Sequence, residues 1–199
     1  MPSQCKRLLL LCALGMTTVQ AGAEVEQREQ RAAAATMGFM QQLGGALQKE
    51  MKEGGPGQAI DVCRDLAPGI AGELSRENGW RVTRVGTRVR NPLLGTPDAW
   101  EQQVLKDFKV RAAEGEALAD MSFSAVVEEP DGRYFRYMKA IPVQTACLNC
   151  HGPAQKIAQG VQKRLAVHYP MDRALDYQEG ELRGAVSIKQ PMDLPLKTN

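Results

Sequence analysis

Residues Met121–Val143, MSFSAVVEEPDGRYFRYMKAIPV, decide the architecture. Two runs rich in Val, Phe and Tyr flank Pro130-Asp131-Gly132, residue types that reverse a chain tightly. Met121–Glu129 and Arg133–Val143 therefore read as two antiparallel strands.

Moving toward the N-terminus, Asp98 with Glu101 three residues later forms a capping-box pattern, which predicts a helix through about Gly115. Before it, Trp80–Arg90 (WRVTRVGTRVR) reads as a strand that Asn91-Pro92 ends. Its Arg84, Arg88 and Arg90 alternate onto one face. Earlier still the period becomes helical. Met37, Met40, Leu43 and Leu47 mark one helix over residues 24–52, and Gly54-Gly55-Pro56-Gly57 stops it. Ile60, Cys63, Ala67, Ile70 and Leu74 mark a second over about 57–77, with Cys63 on its apolar face and Asn78-Gly79 closing it. Toward the C-terminus, helical segments are expected near 154–163 and 172–179, a last strand at Gly184–Lys189, and a frayed tail from Pro191. The sum is an α+β domain: an antiparallel sheet with flanking helices and an N-terminal helical hairpin.

The first residues bear on compartment. Lys6 and Arg7 precede the apolar run Leu8–Met16, and Ala21-Gly22-Ala23 is a small-x-small cleavage pattern. The run is shorter than the roughly 18–20 residues that span a bilayer, so it reads as a cleaved signal peptide rather than an anchor. The expected division is residues 1–23 as leader, 24–190 as one domain and 191–199 as tail, with the product exported to the periplasm and not stably inserted in the membrane. Cleavage removes two of the 25 basic residues and none of the 23 acidic ones, leaving a neutral chain without the charge pattern of a nucleic-acid binder.

The chemistry lies just past the strand pair. Cys147-Leu148-Asn149-Cys150-His151 is C-x-x-C-H, the attachment signature of c-type haem. Two thiols three residues apart reach the two vinyl groups of one porphyrin edge, and the histidine that follows is placed as an axial ligand. A structural zinc site wants four ligands, commonly two cysteine pairs, and no second pair exists. One motif predicts one covalently bound haem.

Five cysteines become three after cleavage, so Cys63 is left without a partner in an oxidising compartment. Metal coordination would hold it as thiolate. Cys63, His168 (the other histidine) and a methionine are the candidates for the second axial position. Arg84, Arg88 and Arg90 are candidates to neutralise haem propionates, or are solvated strand charges.

Five ordered blocks carry a resemblance. They are Ala59-Ile60-Asp61-Val62-Cys63; Arg90-Asn91-Pro92 with Pro97-Asp98-Ala99-Trp100-Glu101; Cys147–His151; Tyr169-Pro170; and Gly180-Glu181-Leu182-Arg183-Gly184-Ala185. Together they resemble the PAS-like c-type haem domains, first catalogued as a domain of unknown function. That family occurs as stand-alone exported cytochromes and as sensor portions of histidine kinases. The resemblance spans roughly residues 35–190, and Leu93-Leu94-Gly95 departs from it where a shorter polar link is common. It implies a PAS-like sheet and His/Cys axial ligation, which carries over to His151 and Cys63.

Three functions follow as expectations. The first is low-potential single-electron transfer between periplasmic proteins. The second is redox or gas (NO/CO) sensing through a partner signalling protein. The third is sulfur-compound redox chemistry of the thiosulfate type. A peroxidase role lacks an identifiable distal acid–base residue.

Overall fold

The computed structural model describes the backbone of residues 5–196 and the side chains of 22–196. The leader reading of residues 1–23 thus lies outside the described side chains, but for Gly22 and Ala23. Helix α1 (Cys5–Glu53) turns its inner face through Arg28, Ala32, Thr36, Phe39 and Leu43, all buried at helical spacing. The stripe expected from Met37 and Met40 is rotated off this face, and Met37 is 62% exposed. Gly55, at φ 73°, lets the chain fold back. There follow α2 (Gly55–Asp61), a π-helical turn (Val62–Leu66) and α3 (Ala67–Asn78), which ends on Gly79 at φ 72° with its N–H bonded to Ser75 O. These elements form the expected hairpin.

The sheet has four antiparallel strands in the order β1-β4-β3-β2, from β1 (Arg81–Gly86), β2 (Ser122–Glu129), β3 (Gly132–Pro142) and β4 (Leu182–Pro191). One face carries Val82, Phe135, Tyr137, Val186 and Ile188 against Phe39, Leu43, Val62 and Ile70 of the helical hairpin. The other carries Val85, Met138, Ala140 and Ala185 against Val104, Leu105 and Phe108 of α5 (Ala99–Ala113), which follows the one-turn helix α4 (Pro92–Gly95). Fully burying one such side chain stabilises by about 1.5–3 kcal/mol, so two faces of alternating apolar residues fix the layer order. The Asp98–Glu101 capping box is present in both directions. Arg136 ties α5 to the sheet through Asp98 (2.6 Å), Glu101 (3.4 Å) and Glu129 (3.3 Å).

Four local expectations are corrected. The first strand stops at Gly86: Thr87 still bonds to the start of β4 through Arg183 O, but Arg88 N–H turns away to the Tyr177 hydroxyl. After a turn at 154–156, the helix expected near 154–163 becomes α7 (Gln159–His168), since the Gln162 amide donates to Ala154 O and Ile157 O and fixes the loop before it. Residues 172–179 form no helix, as their backbone groups are spent on residues 89, 151 and 152. The tail is not frayed at Pro191. Arg28, 1% exposed, donates to the carbonyls of Pro191, Met192 and Leu194 and holds it to α1.

Among the described residues no helix is long and apolar enough to cross a membrane.

Candidate functional site

Past β3 the chain makes a tight turn, Thr145–Cys147, and enters α6 (Leu148–His151). The 172–181 segment lies along this stretch. Gly180 N–H donates to Val143 O, Tyr177 N–H to His151 O, and Asp176 N–H to Gly152 O, each at 2.8–2.9 Å. Asp176 adopts φ 59°, a left-handed conformation that Asp tolerates, and its carboxylate accepts from Ala154 N–H. The motif is thus seated by backbone pairing that leaves no mark in composition.

Cys147 and Cys150 are both free thiols. They point into different apolar clusters. Cys147 packs with Val143, Ala174 and Tyr177, and Cys150 with Ile60, Ile157, Val161, Leu165 and Tyr169. Burial pushes the Cys150 thiol up to about 11, with Arg90 working against it, so the sulfur is held protonated and inert as an acid.

His151 Nδ1 lies 2.7 Å from Ala174 O. A carbonyl only accepts, so Nδ1 carries the proton and Nε2 keeps a free lone pair. Burial, with the guanidinium groups of Arg90 and Arg183 nearby, holds the imidazole well below its ordinary value, and the Ala174 bond opposes this only in part. The ring is neutral, which is the metal-ligating form. Tyr177 stands edge-on to it at 6.1 Å between centroids.

Arg90 is the fastening of the site. It pairs with Asp172 at 2.9 Å, and its guanidinium donates to Cys150 O and, at 3.4 Å, to Ala174 O, the same carbonyl that orients His151. Asp172 in turn accepts from Ala174 N–H at 2.7 Å. The expectation of a shared arginine face therefore fails, since Arg88 and Arg90 lie beyond β1. Arg88 pairs with Glu181 and covers the Tyr177 ring at 3.7 Å. Arg84, on β1, makes no ion pair among the described residues, and neither does Arg183. Arg183 stacks near Tyr177 (5.3 Å) and donates to Arg88 O at 3.0 Å. Burial lowers its basicity, and the neighbouring charges of Arg84 and Arg90 lower it further. Gly86 and Gly184 make this corner possible. A Cβ on Gly86 would lie 2.7 Å from the Arg183 guanidinium, and one on Gly184 would lie 2.0 Å from Val85 O.

Cys63 sits in the π-helical turn, half-buried, three residues after Ile60, the α2 residue of the Cys150 cluster. A charge on its sulfur would be felt at both Cys150 and Tyr169. A π turn spends one residue out of the i→i−4 ladder, a geometry often kept at functional positions. His168, at the end of α7, faces Arg64, whose Nη1 lies 3.0 Å from Nδ1 and 3.2 Å from Nε2. Among the described residues no three His, Cys, Asp or Glu side chains converge as a cage for a bare ion.

Sequence reasoning named Cys63, Cys147, Cys150, His151, His168, Arg84, Arg88 and Arg90. It missed Asp172, Tyr177, Arg183 and the Ala174 carbonyl. A backbone acceptor has no sequence signal, whereas Arg183 lies in the Gly180–Ala185 block that carries the family resemblance.

Comparison with known proteins bears on the family and the fold. No curated protein matches the chain. A solved structure described as the cyanobacterial heme-protein Tll0287 superposes with a TM-score of 0.64 and 25% identity, over 86% of this chain and 98% of that one. The family model described as Tll0287-like matches residues 19–191. The chain belongs to the Tll0287-like family.

Proposed function

We propose that this chain is an exported cytochrome with one haem joined to Cys147 and Cys150, ligated by His151 and Cys63, and that it carries single electrons in the periplasm. The observation that carries the reading is the His151–Ala174 hydrogen bond, which leaves a neutral imidazole with Nε2 free beside two unpaired thiols. The residues fit a porphyrin better than a bare ion, because the two thiols enter separate apolar clusters and no three ligating side chains converge among the described residues. That the similar structure is described as a heme-protein supports the same choice. When bound, the haem supplies a one-electron couple.

The chain's own residues do the rest. Cys147 and Cys150 fasten the cofactor, and the apolar side chains around them exclude water. His151 is held in one tautomer by Ala174 O, which Arg90 and Asp172 keep in place. Arg84 and Arg183, two guanidinium groups at the site without a carboxylate partner among the described residues, would neutralise the propionates; Arg88 and Arg90 are already paired within the protein. Cys63 would supply the second ligand ahead of His168, whose ring lies against the Arg64 guanidinium. Held by both residues, the iron would have no open site for a substrate, which favours electron transfer over sulfur-compound catalysis.

A second reading, sensing through a partner protein, draws on the π turn at Cys63, a local distortion that can relax to α-helix and move the sulfur. Absorption spectra of ferric and ferrous protein, with and without CO and NO, test both readings. Electron transfer predicts ferrous spectra unchanged by either gas and a ferric spectrum altered by Cys63→Ser. Gas adducts forming at once on ferrous protein would move the assignment to sensing. An unaltered Cys63→Ser spectrum would remove the thiolate ligand.

A further inference from the structure

A cavity of about 370 Å³ opens beside the last turn of α5. That volume falls within the range of small-molecule sites, about 300–1,000 Å³. Its apolar lining is Ala112, Leu118 and Leu182, and its charged lining is Arg88, Lys109 and Glu181. It is separate from the haem site: Lys109 and Ala112 belong to α5, which packs on the face of the sheet opposite the hairpin that carries Cys63. Tyr177 touches both places. Its backbone N–H donates to His151 O, while its ring lines the cavity and its hydroxyl bonds with Thr87 and accepts from Arg88 N–H.

The charged lining is two cations against one anion, and the anion is already satisfied. Glu181 accepts from Arg88 Nη2 at 2.9 Å and from Gln178 N–H at 3.0 Å. Arg88 makes its side-chain hydrogen bonds, to Glu181 and to Asp176 O, through Nη2 alone, which leaves Nη1 for another acceptor. Its guanidinium is held over the Tyr177 ring, 3.7 Å from the centroid, so this donor is ordered before any ligand arrives. Lys109 makes no ion pair among the described residues. A neutral ligand leaves both cations without an acceptor. A polyanion exceeds the single net charge and wastes the aliphatic wall.

We propose that this cavity binds a small monocarboxylate. The carboxylate accepts hydrogen bonds from Arg88 Nη1 and Lys109 Nζ, and its short aliphatic tail lies against Ala112, Leu118 and Leu182. The proposal stands whether or not Cys63 ligates iron.

The test titrates the reduced, haem-loaded protein with acetate, butyrate and hexanoate and follows amide NMR shifts. Affinity should rise about fourfold for each methylene added, the gain from burying one CH₂ group. The shifted amides should centre on residues 109–118 and 177–182. Hexanol, which keeps the tail and lacks the charge, should bind about tenfold more weakly than hexanoate, and Lys109→Ala should weaken hexanoate by a similar factor. Lys109 is exposed, so that variant keeps its fold, and an unchanged spectrum outside the cavity verifies this. Hexanoate that shifts no amide, or shifts amides elsewhere, overturns the proposal. So does equal affinity for acetate and hexanoate, for hexanol and hexanoate, or for wild type and Lys109→Ala. Inorganic phosphate binding more tightly than hexanoate would also overturn it, by marking a general anion site.

Discussion

Replacing Arg90 by Met tests whether one buried ion pair seats the site. The Arg90 and Asp172 side chains are each 9% exposed and meet at 2.9 Å, so neither has bulk water to fall back on. Removing one partner of a buried pair costs about 3–5 kcal/mol, because the other charge is stranded. Two effects adjust that figure. Asp172 retains the Ala174 N–H bond, which softens the loss, while Cys150 O loses its guanidinium donor, which adds about 1–3 kcal/mol. The net expectation is about 4 kcal/mol, a large share of the roughly 5–15 kcal/mol that holds a domain folded. Urea unfolding reads it directly. With a slope of about 2 kcal/mol per M, the midpoint should fall by about 2 M with the slope unchanged. Adding Asp172→Asn should restore more than half of the loss, since the stranded charge is gone. A loss below about 1 kcal/mol, the range of exposed pairs, would refute the argument that Arg90 fastens the motif from a desolvated position.

Two further perturbations probe other parts of the structure. Burial works to raise the Asp98 carboxyl, but the Arg136 guanidinium and the Glu101 N–H outweigh it and hold it below its ordinary 3.8. A depressed carboxyl stabilises the fold above its unfolded value and loses that contribution as pH falls below about 4. Asp98→Asn, which keeps a capping oxygen, should therefore unfold less steeply with acid, and parallel urea midpoints for both proteins from pH 6 to pH 3 would contradict this. Arg28→Met should release the tail from α1 at a cost of about 1–3 kcal/mol. Amide exchange should then speed up at residues 190–194 and stay slow in the β2–β3 pair, and uniform acceleration would argue against a local clamp.

The sheet was legible because its strongest segment, Met121–Val143, combines β-rich residues with a turn that admits one reading. The α5 start was legible for a similar reason, Asp98 and Glu101 being a self-contained local device. Errors fell where a distant partner decides. Trp80–Arg90 has strand composition throughout, but β4 pairs only as far as Gly86, and Arg90 turns inward to Asp172. Met37 and Met40 have helical spacing, but Phe39 and the buried Arg28 choose which side of α1 faces the sheet. The tail looked frayed because its clamp lies some 160 residues away in sequence. At the site, Cys147, Cys150 and His151 announce themselves by spacing. The orientation of His151 comes from Ala174 O, an acceptor any residue would provide, so no sequence pattern predicts it.

The most direct measurement is the intact mass of the protein purified from a bacterial host with c-type haem maturation, after unfolding in acid and organic solvent. The account predicts a chain beginning near Glu24 that is heavier by one haem and stays so through extraction. Cys147→Ala combined with Cys150→Ala should abolish that added mass. Haem that extracts freely from the wild-type chain, or a wild-type mass with none added, would contradict covalent attachment at Cys147 and Cys150.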